Sequence, residues 1–229
     1  MKVFVPVKTQ SERVPGKNFR ELGGVPLWRR CLLKFASWSV YVDTDSRRLI
    51  ERIRCDPALR HVTPIERRPE LRGGAVSVNR LIEDFLDRGV PDYRGPVAQV
   101  HVTHPFFEPQ TIGLAARILD DADYDSVVGC NVLQSRLWRC TAAGYRPVNH
   151  DPAELLPTQR LERWFEDNST FYLFTPASFR VAGGNRVGNY PYFYRVPWPQ
   201  SLDIDTEDQW RTAALLDRAL AESVAAVPG

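Results

Sequence analysis

The chain is 229 residues long, 43% hydrophobic and 25% charged, the proportions of a folded chain with a sizeable core. These values exclude a disordered segment, a collagen-like fibre and a small disulfide scaffold. Thirty basic against 28 acidic side chains leave a net charge of +2, too even for a nucleic-acid-binding surface. No apolar run approaches the roughly 18 residues that cross a bilayer, so no membrane partner is expected. The opening MKVFVPVKTQSER is apolar only briefly before Lys8 and Glu12, unlike a signal peptide. The expectation is one cytoplasmic domain over 1–229. Only four of the 30 basic residues are lysines, a skew that reads as codon bias and makes Lys8 and Lys17, both in one loop, more conspicuous. Cys31, Cys55, Cys130 and Cys140 are widely spaced, with no paired thiols or histidine at zinc-ligand spacing, and read as reduced thiols holding no metal.

In chain order, Val3, Phe4, Val5 and Val7 form a nearly continuous apolar strand, as in a sheet covered on both faces. Ser39–Val42 is a second strand. Arg47–Cys55 is a helix striped by Leu49, Ile50 and Ile53. Val78, Leu81, Ile82, Phe85 and Leu86 recur at i, i+3, i+4, i+7 and i+8, the strongest helical period in the chain. A strand over Val97–Val102, a helix near Pro109–Asp120 and a strand over Ser126–Val132 continue the alternation. It implies an α/β fold, Rossmann-like and doubly wound around a mostly parallel sheet. The rhythm breaks over about 133–166, a stretch rich in Arg, Pro and Trp, which reads as an inserted arm. Thr170–Phe174 and Tyr190–Val196 are two more strands. Thr206 and Gln209 form a capping box for a last helix striped by Trp210, Ala213, Leu216 and Leu220.

Three segments carry possible chemistry. The loop KTQSERVPGKN after the first strand leaves a strand's carboxyl end, where open parallel sheets bind ligands. It holds Lys8, Arg13 and Lys17, with Gly16 to permit an unusual turn, and suits a polyphosphate. Neither the Walker A nor the G-x-G-x-x-G spacing is present, and a plain solvated loop is the other reading. In Asp203-Ile204-Asp205, two carboxylates two residues apart on an extended segment project the same way, with Cα atoms roughly 6.5 Å apart. Such a pair meets one Mg²⁺ or simply flanks a helix start. Asp43-Thr44-Asp45 has the same spacing with a less favourable position. At the end of the middle strand, alternation sets Gln99, His101 and Thr103 opposite Val100 and Val102. A histidine there binds a substrate or serves only the structure.

Together, VPVKTQSERVPGKN, VDTDS at Val42–Ser46, RRPELRGG at Arg67–Gly74 and SLDIDTEDQW at Ser201–Trp210 resemble the CMP-sugar-acid synthetases, the acylneuraminate and related cytidylyltransferases. NHDPAELLPTQRLERWFEDNSTFYLF resembles that family's substrate-side segment. The resemblance implies that Lys8, Arg13 and Lys17 grip the triphosphate of CTP, with Ser11 and Asn18 also at the nucleotide. It places Arg68, Ser77 and Asn79 at the base or ribose, and Mg²⁺ on Asp203 and Asp205. Lys8, Arg13, Lys17 and Asp205 would be the catalytic set. His101, Thr103, His104, Arg136, Gln159 and Asn168 would face the acceptor. The arm would join two copies as a homodimer.

Two departures concern the acceptor and the loop. The family's L-Q-P-T-S-P becomes V-H-V-T-H-P here, with His101 in place of glutamine. Lys8 replaces an arginine, and Glu12 a lysine. The CTP half is retained and the acceptor half altered, which resembles a divergent branch that activates small phosphonates, and that resemblance implies a small acidic acceptor such as phosphonoformate. A sialic or other ulosonic acid is the alternative. A metal-dependent glycosyltransferase and a nucleotide-binding domain without turnover are more distant alternatives.

Overall fold

A computed structural model describes residues 1–9, 11, 13–121 and 123–225, with side chains to Ser223, so Glu12 lies outside the described residues. Seven strands form the main sheet: β1 (Lys2–Val7), β2 (Ser39–Thr44), β3 (Val62–Glu66), β4 (Val97–Val100), β5 (Ser126–Leu133), β6 (Trp164–Phe174) and β7 (Pro191–Arg195). Their spatial order is β7-β5-β6-β4-β1-β2-β3. Only β6 runs antiparallel to its neighbours. The α/β, mostly parallel sheet read from the sequence is the observed architecture.

The helices are α1 (Leu27–Leu33), α2 (Arg47–Cys55), α3 (Val78–Asp84), α4 (Pro109–Ala116), α5 (Pro176–Val181) and α6 (Glu207–Ala225). They cover both faces of the sheet, as a doubly wound fold requires. On one face Val3, Val5 and Val7 pack with Trp28, Leu32, Leu49, Ile53 and Ile112. On the other, Phe4 stacks on Phe85 with ring centroids 4.7 Å apart, among Leu81, Ile82, Tyr172 and Phe179. Strand β1 is therefore apolar on both sides because helices bury both sides. A third cluster of Leu22, Leu27, Phe106, Ile204, Trp210 and Ala213 seats α6.

Several boundaries differ from the sequence reading. Strand β4 ends at Val100, so the alternation read through Thr103 stops before His101, and Val102 and Thr103 turn away from the sheet. Helix α3 passes at Phe85 into a wider five-residue turn that ends at Gly89. Strand β6 begins at Trp164 rather than Thr170, because its first half pairs with the end of β5, from Trp164 against Leu133 to Asp167 against Cys130. The register then slips between Asp167 and Tyr172, a bulge over Asn168–Phe171 in which Ser169 takes φ 57°. The irregular stretch of 133–166 contains a small exposed hairpin, Trp138–Thr141 against Gly144–Pro147. Helices α1 and α5 and strand β3 were not legible from periodicity; each is short.

Among the described residues, no helix is long and apolar enough to cross a membrane.

At the end of β2, Asp43 and Arg67 form an ion pair 2.5 Å long whose side chains are 2% and 4% exposed. Burial raises the Asp43 carboxyl above its ordinary range, and Arg67 opposes the shift. A pair this deep gives little net stability, but breaking it leaves one charge buried alone. Asp43→Ala is expected to cost about 3–5 kcal/mol in urea unfolding. The double variant Asp43→Ala/Arg67→Met should cost less than that single change. A single change within experimental error of wild type would contradict the buried pair.

Candidate active site

Strand order reverses at β1 and β4, and beyond their carboxyl ends lies a cavity of about 410 Å³. Its polar lining comes mainly from three separate parts of the chain, the loop after β1, the turn after β4 and the extended segment before α6, with Arg67 after β3 and Ser169 of the β6 bulge added.

The loop after β1 is built on its own backbone needs. Gly16 sits at φ +63°, the left-handed region that a side chain resists, and starts a short 3₁₀ turn over Lys17–Phe19. The turn buries Lys17 and Asn18. The Asn18 side-chain amide donates to the Lys8 carbonyl at 3.0 Å and closes the loop. Lys17 reaches further: its ammonium donates to the Ile204 carbonyl at 2.5 Å and to the Asp205 carboxylate at 2.8 Å. Arg13 meets the other Asp205 oxygen at 2.7 Å.

The segment before α6 is held from both sides. Ile204 is fully buried in the third apolar cluster, so the neighbouring Asp203 and Asp205 turn together to the cavity. The Ile204 amide donates to the Thr103 carbonyl at 3.0 Å, tying this segment to the turn after β4. The capping box is present: Thr206 N–H donates to Gln209 Oε1 at 2.9 Å, and Gln209 N–H donates to Thr206 Oγ1 at 3.2 Å. Burial alone would raise the Asp205 carboxyl, but hydrogen bonds and charge from Lys17 and Arg13 outweigh it and hold it below the ordinary range. Asp205 is therefore an anion at neutral pH.

The turn after β4 brings His101 and Thr103 to the cavity. Burial, reinforced by the Arg186 charge, pushes the His101 imidazole down to about 3, so it is neutral. His104 is buried behind Asp203. Its Nε2 lies 3.1 Å from the Asn168 carbonyl and its Nδ1 lies 4.0 Å from Asp203. Burial also lowers the His104 pKa against the pull of Asp203.

Polar atoms without partners cluster here. Ser11 Oγ, Asn18 Oδ1 and Asp203 Oδ1 are buried with no hydrogen bond, and all three residues line the cavity. His104 Nδ1 and Gln99 Nε2, close by, are in the same condition. Buried polar groups rarely stay unpaired in a native fold, so their concentration marks a place prepared for a polar ligand. Two carboxylates with hard oxygen donors, one of them orphaned, fit Mg²⁺, which takes few protein oxygens and fills its shell with water and phosphate. No third acidic, histidine or cysteine ligand joins them among the described residues.

Of the residues singled out in the sequence, Lys8, Ser11, Arg13, Lys17, Asn18, His101, Thr103, Asp203 and Asp205 line this one cavity. Seven do not line it. Arg68 is exposed and pairs with Asp84 at 3.2 Å, whereas its neighbour Arg67 lines the wall. Ser77 caps α3 by accepting from the Asn79 amide at 3.3 Å, so both belong to the helix start beside the wall residue Val78. His104 stands behind Asp203. Arg136 donates to the Leu156 carbonyl at 2.5 Å within the arm, and Gln159 is exposed there. The Asn168 amide is consumed by Asn131 and Thr170 in shaping the β6 bulge.

Sequence reasoning missed Ser169, which the bulge delivers to the cavity, and the apolar wall of Leu71, Val76, Val78 and Leu81. The turn-forming run Asp167-Asn168-Ser169 inside a strand-like segment was the available signal. Asp45 of the second D-x-D lies apart from these carboxylates and accepts from the Thr9 amide at 2.9 Å.

The chain is similar to known proteins in sequence and in fold. The chain is 26% identical over 211 residues to an N-acylneuraminate cytidylyltransferase of Oncorhynchus mykiss, covering 89% of this chain and 47% of that protein. It is 35% identical over 121 residues to a 3-deoxy-manno-octulosonate cytidylyltransferase of Leptothrix cholodnii, covering 51% of this chain and 41% of that one. The chain thus spans less than half the length of these curated relatives. A solved CMP:2-keto-3-deoxy-manno-octonic acid synthetase complexed with CTP superposes with a TM-score of 0.62 at 14% identity, covering 95% of this chain and 98% of that one, and shares the fold. The cytidylyltransferase family pattern matches residues 3–182, most of the chain. By that match the chain belongs to the cytidylyltransferase family.

Proposed function

We propose that this chain is a nucleotidyltransferase that transfers CMP from CTP to a small acidic acceptor and releases pyrophosphate. The observation that carries the reading is the convergence of Lys17 and Arg13 on Asp205 in a cavity lined by unpartnered polar atoms, at the sheet's switch point. Family membership supplies the nucleotide, CTP.

In this reading an acceptor oxygen attacks the α-phosphorus in line. A new P–O bond forms while the bond to the bridging oxygen of the β-phosphate breaks, and that oxygen carries the electron pair away in pyrophosphate. Lys8, Arg13 and Lys17 face the charge gathering on the phosphates, and Lys17, fixed at two points by Ile204 and Asp205, is already oriented. Asp203 and Asp205 would hold Mg²⁺, which neutralises phosphate charge and aligns the reacting groups when bound. The present cation partners of Asp205, Lys17 and Arg13, would be shared with the triphosphate. Ser11 and Asn18 have free oxygens for the nucleotide. The aliphatic wall of Leu71 to Leu81, with Arg67 beside it, suits a base.

For the acceptor we favour a phosphonate such as phosphonoformate, because His101 and His104 replace the residues expected in a sugar-acid site. The names of the relatives favour a sialic or ulosonic acid as the second reading. We also propose that the arm meets a second copy. Its apolar side chains Trp138, Tyr145 and Leu155 are 52%, 72% and 71% exposed, unusual for large apolar groups without a partner.

Four outcomes test this reading. Pyrophosphate release should require CTP, Mg²⁺ and one acid from a panel of phosphonoformate, other phosphonates, a sialic acid and a shorter ulosonic acid. ATP, GTP and UTP should be inactive, and equal use of all four nucleotides would refute the assignment. Asp205→Ala should lower kcat by at least about 100-fold with the fold retained, and Lys17→Ala should raise KM for CTP about tenfold or more with a small effect on the acceptor. A wild-type rate in Asp205→Ala would sink the metal role. Trp138→Asp/Tyr145→Asp should run as a monomer in light scattering where the wild type runs as a dimer, and an unchanged mass would remove the arm from the interface.

A further inference from the structure

Arg186, in the loop between α5 and β7, was not among the residues considered in the sequence and does not line the cavity. It sits directly beside it. Its Nη1 donates to Gln99 Oε1 at 2.5 Å, and its guanidinium carbon lies 3.6 Å from the Tyr172 ring centroid. Its backbone amide lies 3.4 Å from Asn79 Oδ1. Each partner belongs to an element that reaches the cavity. Gln99 is two residues before His101. The Tyr172 hydroxyl is 3.3 Å from the Ser169 hydroxyl, and Asn79 follows Val78.

Among the described residues the Arg186 guanidinium forms no ion pair; it donates to Gln99 and lies against Tyr172. The Asp167 carboxylate acts on it from beyond ion-pair distance and accepts from the Tyr172 hydroxyl, with oxygens at 2.7 and 2.8 Å. Beside it, Gln99 is fully buried and its Nε2 donor has no acceptor. The unpartnered Gln99 Nε2 and the guanidinium N–H groups not held by Gln99 thus lie together on the β6 side of β4. The loop cations Lys8, Arg13 and Lys17 leave β1 on its other side. His101 between them is neutral and supplies no positive charge. An acceptor-only anionic group, a carboxylate or phosphonate, satisfies both donors at once, and a guanidinium fork binds such a group through two parallel hydrogen bonds.

We propose that Arg186 and Gln99 form the subsite that receives the acid group of the acceptor, separate from the cations that receive the triphosphate. This rests on the cytidylyl-transfer reading for the identity of the substrate, while the anion subsite itself is testable without turnover. The test is calorimetric titration of phosphonoformate and of a sialic acid into wild type, Arg186→Gln, Arg186→Lys and Lys17→Ala. Wild type should bind at least one probe. Arg186→Gln should weaken it by about tenfold or more, Arg186→Lys by less, and Lys17→Ala by little. In turnover assays Arg186→Gln should raise KM for the acceptor and leave KM for CTP unchanged, a split that general loss of structure would not produce.

Unchanged probe affinity in Arg186→Gln, equal losses in Lys17→Ala and Arg186→Gln, or no probe binding to wild type would overturn the subsite. If Arg186→Gln unfolds, the comparison passes to Arg186→Lys, whose retained charge must keep measurable affinity for the subsite to stand. Probe binding that depends on Arg186 without any CTP-dependent turnover would uphold the subsite and defeat the cytidylyl-transfer reading.

Discussion

The site depends on one lysine. Lys17 joins the loop after the first strand to a segment 187 residues further along, through the Ile204 carbonyl and the Asp205 carboxylate. Folding brings these ends together because β1 lies in the middle of the sheet, flanked by β4 on one side and β2 on the other. An ammonium this buried must find strong acceptors, and the segment offers a carbonyl and an anion. The loop, the turn after β4 and the start of α6 are thereby held in one arrangement. Ile204 secures that arrangement from the apolar side, and its amide bond to Thr103 from the polar side.

This arrangement concentrates opposite charges and unmet hydrogen-bond capacity at one spot. Arg13 and Lys17 share a single carboxylate, and Asp203 has an oxygen with no partner. Such a centre is costly for the chain on its own and favourable once phosphates and a cation arrive, because each unpaired group then finds its complement. The proposed acceptor subsite follows the same logic with a different cation. Arg186 stacks on Tyr172 and waits beside a neutral histidine.

Much of this was legible in the sequence. Strand β1 was readable because it is apolar on both faces, and α2 and α3 because their apolar stripes keep helical spacing. The loop cations and the D-x-D could be paired only through resemblance to a family, since nothing local says that residue 17 meets residue 205. The misses have physical causes. Short elements such as α1 and α5 have too few turns to show a period. The bulge in β6 depends on side-chain hydrogen bonds of Asp167 and Asn168 that interrupt an otherwise regular strand. Arg186 was invisible because one arginine among 26 carries no pattern, and its meaning lies in its packing against Gln99 and Tyr172.

The central claim is that the loop after β1 and the Asp203–Asp205 segment form one nucleotide site. The most direct measurement is a crystal structure of the chain with CTP and Mg²⁺. The account predicts the triphosphate against Lys8, Arg13 and Lys17, the metal on Asp203 and Asp205, and the base along the Leu71–Leu81 wall. A nucleotide bound away from this loop, or a metal held by other residues, would contradict it.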